Sequence, residues 1–259
     1  MHSLYEYSLL LVSITGLVLI LLSVEIGWRL GTRAHGRGGL NVVSALVQSL
    51  LGLSALIIGF TFLMALTRFE ARREAVVQEA NAIGTTALRA RLLGEPDRTE
   101  SLKLLQEYAA LRVDNIDAGL SLAQATNVIV RSNEIQEALW QRATVVAAAS
   151  NALGPTGLFI QSLNEMIDSQ AKRLAALRNQ IPTVVLLMVL AVTITSSALA
   201  GYAGAIEKRP TRVPIYATGL ILWMMIYVIL DLDRPNVGLI KISQQPMFDV
   251  VASIKAFPK

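Results

Sequence analysis

Four apolar stretches, at about residues 8–28, 43–66, 183–202 and 214–230, constrain this chain more than any other feature. A helix rises 1.5 Å per residue, so roughly 20 apolar residues cross the ~30 Å hydrocarbon core of a bilayer. Each stretch is long enough, and each reads as a span. Between the second and third lies a long segment with an ordinary helix-forming mixture of Ala, Leu, Glu, Gln and Arg. This unevenness is why a 259-residue chain can be 53% hydrophobic and only 16% charged. The expected fold class is an all-α integral membrane protein with four transmembrane helices in two hairpins. The division reads as a first hairpin over 1–67, a central helical soluble domain over 68–181, a second hairpin over 182–230 and a tail over 231–259. Met1 to Tyr7 holds Glu6 and no Lys or Arg, the reverse of a basic leader start, so the first stretch is expected to be retained as a span.

Several function classes are excluded early. Cysteine is absent, which removes disulfides and thiolate metal sites. His2 and His35 are the only histidines, and no phosphate loop, nucleophile elbow or metal-ligand cluster occurs. No catalytic residue, metal or cofactor is therefore expected. The net charge of +4 comes from arginines near the ends of the apolar stretches, with no interleaved aromatics, so nucleic acid is not an expected partner. The bilayer is.

Within the middle segment, helical periodicity runs past Thr67 through Phe69, Arg73 and Val76–Val77, predicting one long helix that ends near Gly94-Glu95-Pro96. A second helix is predicted from Pro96 or Asp97 to about Gly119, with Leu104, Leu105, Tyr108, Leu111 and Val113 as its apolar stripe. A third covers Leu122 to Leu153, with a candidate break at Arg131–Asn133. Gly154-Pro155-Thr156-Gly157 reads as a turn, and a fourth helix follows from Leu158 to Gln180. Pro182 marks the junction with the third span. In the tail, Leu239–Ser243 reads as a short strand or extended piece, followed by an amphipathic helix with Phe248, Val250, Val251 and Ile254.

Two hairpins put the N-terminus, central domain and tail on one side of the membrane. The short loops on the other side carry Arg29, Arg33, Arg37, Lys208, Arg209 and Arg212, against Arg68, Arg72, Arg73, Lys172, Arg173 and Arg178 opposite. Weighting short loops and the first helix, the positive-inside rule places the loops inside and the domain outside.

The second span offers the clearest candidate site. Gln48, Gly52, Ala55, Gly59, Phe62 and Leu66 fall on one stripe at four- and three-residue spacing, with a polar mouth, a small-residue middle and a hydrophobic constriction. The competing use of Gly52, Ala55 and Gly59 is close helix packing. Thr193, Thr195, Ser196 and Ser197 supply hydroxyls in the third span, where such groups more often bond their own backbone. Glu25 stands four residues before Arg29, the spacing of an interfacial ion pair. Glu70, Arg73, Glu79 and Asn81 after the second span, with Asp168 and Arg173 before the third, are candidates for an ion-steering vestibule or for structural charge pairs. Asp231, Asp233, Arg234 and Pro235 form a tail motif whose two spaced acids are a poor cation site and suit interface capping better.

Particular strings carry a resemblance. Arg68-Phe69-Glu70-x-Arg72-Arg73-x-x-Val76-x-x-Glu79-Ala80-Asn81-Ala82-Ile83-Gly84-Thr85, then Leu163-Asn164-Glu165-Met166-Ile167-Asp168 with Arg173-Leu174 and Ile181-Pro182, resemble the bestrophin-like domain family of bacterial membrane proteins. So does the ending Asp231-Leu232-Asp233-Arg234-Pro235-x-x-Gly238-x-Ile240-x-Ile242-Ser243-Gln244-Gln245-Pro246. Bestrophins are pentameric anion channels with four spans, a helical domain between spans two and three, and span two lining the pore. The resemblance therefore implies a homo-oligomeric, pentameric ion channel in a bacterial inner membrane, with copies of itself and small ions as partners. It also implies a cytosolic helical domain, the reverse of the charge reading. The alternative is a membrane-anchored helical sensor or scaffold without transport activity.

Overall fold

In a computed structural model, the described residues are 8–34, 40–114, 122–149, 153–207, 211–234 and 238–257. They form α1 (Leu9–Arg33), α2 (Leu40–Ala90), α3 (Asp97–Asp114), α4 (Leu122–Ala149), α5 (Leu153–Arg178), α6 (Thr183–Ile206), α7 (Val213–Asp233) and α8 (Gln245–Lys255). No strand occurs among the described residues. His35, Arg37, Lys208, Arg209 and Pro235 lie outside them. The chain divides into two compact units, one of Met1–Phe69 with Gln180–Lys241 and one of Glu70–Asn179 with Ile242–Lys259.

The first unit contains the helices long and apolar enough to cross a membrane: α1, the first part of α2, α6 and α7. Local chemistry sets their ends. Ser8 caps α1, its hydroxyl accepting the Leu11 N–H at 3.1 Å. Pro182 sits at the N-cap of α6 and Pro214 in the first turn of α7, where a missing N–H costs no helical hydrogen bond. The unit is built inside out relative to a soluble bundle. Leu10, Ile14, Leu22 and Ile26 of α1 point outward, while Ser13, Ser23, Ser54, Thr61, Thr193 and Ser196 are buried. Most of these hydroxyls bond a carbonyl one turn back, such as Ser13 to Leu9 at 2.7 Å and Thr193 to Val189 at 2.8 Å.

α1 and α6 meet through glycines. A methyl group on Gly27 would lie 1.8 Å from the Ala198 carbonyl oxygen, and one on Gly201 would lie 2.3 Å from that of Val24. Gly31 and Gly204 are similarly closed off, by the Tyr202 carbonyl and by Ile215 with Trp28. Backbones this close gain dispersion contacts that no larger residue permits, the main source of helix affinity in lipid. An apolar cluster of Leu9, Ile58, Ala65, Ile181, Leu186, Val189, Ile229, Leu230 and Leu232 fills one end of the unit, and Val24, Trp28, Ala205 and Ile215 fill the other.

The second unit combines the remainder of α2 with α3, α4, α5 and α8. Its core holds Ile83, Leu105, Tyr108, Ile135, Leu139, Phe159, Leu163, Met166 and Met247, all at most 2% exposed. Buried Arg72 donates to the carbonyls of Ala176 at 3.2 Å and Asn179 at 2.8 Å, satisfying and neutralising the carbonyl end of α5.

Five local expectations are corrected. The long helix stops at Ala90, short of Gly94, because the Leu92 and Leu93 amides tighten onto the Arg89 and Ala90 carbonyls. α4 is unbroken at Arg131–Asn133: helical spacing puts Arg131 outside, where it pairs with Glu107 and Glu134, and Ser132 inside. Gly154-Pro155-Thr156-Gly157 is the first turn of α5 rather than a connection, since Pro there removes only an N–H that has no intrahelical partner. Of the strand or extended piece expected over Leu239–Ser243, the strand is absent, and the Leu239 and Ile240 amides are bound by Asp231 instead. α8 buries Met247, Val250 and Ile254, leaving Phe248 45% exposed.

Candidate functional site

In the first unit, α2 turns a narrow face inward through Ser54, Ile58, Thr61 and Ala65. Ser54 reaches α6 by a 2.7 Å hydroxyl pair with Ser196, which also donates to the Leu50 carbonyl at 3.3 Å. With 3.6 residues per turn, the predicted stripe lies on the flank of that inward face. Gln48, Gly52, Ala55 and Gly59 are exposed; Phe62 and Leu66 are half-buried, and Phe62 packs against the apolar cluster. A methyl group on Gly52 or Gly59 would meet nothing within 4 Å. Among the described residues, no other helix uses these glycines for close approach. Beside the stripe, Leu46, Leu53, Leu56, Phe60 and Leu63 form a bulky exposed ridge.

Gln48 also borders a cavity of about 280 Å³ between α2, α6 and α7, where the Ser44 hydroxyl donates to the Glu207 carboxylate at 2.9 Å. The interfacial pair of Glu25 and Arg29 forms at 2.8 Å. Glu25 additionally accepts from Arg212 at 3.0 Å and Tyr216 at 2.9 Å, while the Arg212 guanidinium stacks 4.6 Å from the Trp28 ring. Thr195 is exposed and bonds the Ala191 carbonyl at 2.9 Å, whereas Ser197 is buried.

The predicted charge group separates. Glu70, Arg73, Asn81 and Asp168 are exposed, but Glu79 and Arg173 meet in the interior of the second unit. The Glu79 carboxylate is wholly buried and pairs with Arg173 at 2.6 Å and Arg112 at 2.9 Å. The Tyr108 hydroxyl stands 3.1 Å from Glu79 and 3.0 Å from the Gln170 amide oxygen, with Gln136 completing the cluster through Gln170. Arg173 also donates to Gln244, at 3.1 Å, which ties the segment before α8 to α5. Burial and the neighbouring Glu79 charge push the Tyr108 phenol far above its ordinary range, so it stays protonated and remains a donor. Burial lowers the Arg173 pKa, against the pull of Glu79. One carboxylate facing two guanidinium groups leaves this interior with an excess positive charge.

Sequence reading reached Glu79 and Arg173 but missed Arg112, Tyr108 as a polar partner, Gln136 and Gln170. A signal existed: Arg112 follows Leu105 and Tyr108 on one face of α3, and Gln170 follows Leu163 and Met166 on one face of α5.

In the tail motif both carboxylates bind backbone amides. Asp233 accepts the Ile181 N–H at 2.9 Å, holding the chain as it enters α6. Asp231 accepts from Leu239 at 3.0 Å and Ile240 at 2.9 Å. The carboxylate fits only because residue 238 is glycine: its φ is +129°, and a methyl group there would fall 1.7 Å from the Asp231 Oδ1. No group of three or more potential metal ligands occurs among the described residues.

Comparison with solved structures finds the same architecture. A bacterial bestrophin homologue from Klebsiella pneumoniae superposes with a TM-score of 0.67 at 15% identity, covering 93% of this chain and 96% of that one. Another structure of a Klebsiella pneumoniae bestrophin homologue gives 0.64 at 14% identity, covering 97% and 100%. A further structure, described only as a membrane protein, gives 0.62 at 14% identity over 95% and 96%. No curated protein matches. The sequence itself matches the bestrophin-like domain over residues 14–247, nearly its whole length, and the chain therefore belongs to the bestrophin-like domain family.

Proposed function

We propose that this protein is a homo-oligomeric ion channel of a bacterial cell membrane, in which the α2 stripe of each copy faces the shared axis. One observation carries the reading. Gly52 and Gly59 have open space where their side chains would be, whereas the four glycines joining α1 to α6 are closed off by backbone or side chains. A membrane helix that exposes small residues and an amide beside a ridge of Leu and Phe has one surface suited to a narrow path and another suited to a neighbour. The ridge of Leu46, Leu53, Leu56, Phe60 and Leu63 packs on the adjacent copy or on lipid. Gln48 forms the polar mouth, Gly52, Ala55 and Gly59 the narrow middle, and Phe62 with Leu66 the constriction. The family resemblance supports five copies and anions as the conducted species. No basic side chain lies within the stripe, so anions are held by the Gln48 amide and by helix dipoles.

The experiment is a mass measurement of the detergent-solubilised protein, followed by ion flux through liposomes containing it. A five-subunit particle that passes chloride, with flux altered by Gly59→Trp or Phe62→Ala, is the expected result. A monomer that passes no ions removes the proposal. An intact oligomer without flux in any ion leaves a membrane-anchored scaffold.

A further inference from the structure

A second cavity in the first unit, of about 250 Å³, opens between α1, α6 and α7 with Thr61 of α2 at its back. We propose that it holds one acyl chain of a bilayer phospholipid, as a bound chain distinct from the lipid that merely surrounds the protein. The proposal rests on the membrane-spanning layout alone and is independent of conduction.

The lining argues against water. Ser13 and Thr61 bond carbonyls one turn back, Thr15 does the same to Leu11, and the Trp223 indole N–H donates to the Ser13 carbonyl at 2.9 Å. The remaining wall is mainly Leu, Ile and Val. Water needs two to four polar partners to remain in a cavity, and the Ser13, Thr15 and Thr61 donors are already used, which leaves a few hydroxyl oxygens and the Tyr227 phenol in a wall of hydrocarbon. An apolar void left empty costs stability in proportion to its volume, so hydrocarbon is the favoured filler.

Shape selects which hydrocarbon. Along α1 the lining runs from Leu11 to Ile20, a rise of about 14 Å, close to the ~15 Å depth of one leaflet. A groove about one leaflet long and walled mainly by hydrocarbon matches an acyl chain lying along α1. Gly16 keeps the groove open, for a methyl group there would meet nothing within 4 Å. The Trp223 ring, 5.7 Å from that of Tyr227, forms a fixed wall and supplies a reporter.

The test uses the full chain carrying Trp28→Phe and Trp140→Phe, so that Trp223 alone emits. It is purified in detergent and titrated with phosphatidylcholine brominated midway along its acyl chains. The bromines are expected to quench Trp223 about two-fold with saturation at a few lipids per protomer. Gly16→Leu and Leu19→Phe should abolish that saturable quenching, while Ile14→Phe, on the exposed α1 surface outside the groove, should leave it unchanged. Elution volume and helical circular dichroism verify folding, and either groove variant suffices if the other fails to fold. Equal quenching in all variants would mean surrounding lipid only and would overturn the proposal. So would absent quenching together with a change of oligomer mass in Gly16→Leu, which would assign the groove to a second copy.

Discussion

The α1–α6 contact and the outward flank of α2 use the same residue type to opposite ends. In the first, Gly27, Gly31, Gly201 and Gly204 have backbone or side-chain atoms where a methyl group would go. In the second, Gly52 and Gly59 have nothing. Small residues in a membrane helix mark a place where something comes close, and the α1–α6 glycines meet theirs within this chain, as does Gly219 of α7 against Ile20 of α1. The lesson is that closed glycines describe the fold of one copy, while open glycines describe what lies beyond it. A few turns further along the same helix the contrast disappears, because Val76, Glu79, Ala80 and Ile83 are all buried.

The sharpest way to break this comparison is to enlarge both kinds of glycine. Gly27→Leu forces a side chain into the Ala198 backbone, which cannot yield as a flexible side chain would. Loss of monodisperse protein on size exclusion is expected, the largest effect predicted here. Next comes Glu79→Gln, which leaves Arg112 and Arg173 buried around a neutral amide. Removing one partner of a buried ion cluster costs about 3–5 kcal/mol, so the second unit should become sensitive to limited proteolysis at lower temperature. Ser54→Ala removes the hydroxyl pair to Ser196, with an expected loss of about 0.6 kcal/mol, as typical of such bonds between membrane helices, read as a small drop in thermal midpoint. Gly52→Ala and Gly59→Ala should have the smallest effect on the fold, a gain of at most about 1 kcal/mol from helix propensity. If the α2 flank faces copies, these two changes alter flux or oligomer mass nonetheless. A thermal midpoint lowered by Gly59→Ala would show that the open space is filled within one copy and would collapse the comparison.

The spans were legible because hydrocarbon thickness leaves little choice for an apolar run of that length. The glycine seam between α1 and α6 was not, since Gly27 with Gly31 and Gly201 with Gly204 show spacing but not partner. Gly154–Gly157 misled for a related reason: Pro and Gly belong equally to turns and to the first turn of a helix. Glu79 was legible as a charge of interest because polar residues recur along the helix after the second span, although helical spacing turns it away from Glu70, Arg73 and Asn81. Its second cation, Arg112, was marked only by its place on the Leu105–Tyr108 face of α3, and whether a charge on an apolar stripe lies inside or outside is decided by tertiary packing. Asp231 and Asp233 suggested capping from their position alone; Asp231 holds amides of the segment that follows it, whereas the amide held by Asp233, that of Ile181, comes from a segment distant in sequence.

The central claim is that the α2 stripe borders an aqueous path shared by several copies, and the natural absence of cysteine makes it directly measurable. A single thiol introduced by Gly59→Cys, in protein reconstituted into liposomes, is exposed to a charged, water-soluble thiol reagent. The account predicts covalent modification of that thiol and a change in ion flux upon it. An unmodified thiol at residue 59, with one introduced by Arg33→Cys reacting normally in the same liposomes, would place the stripe against lipid and contradict the account.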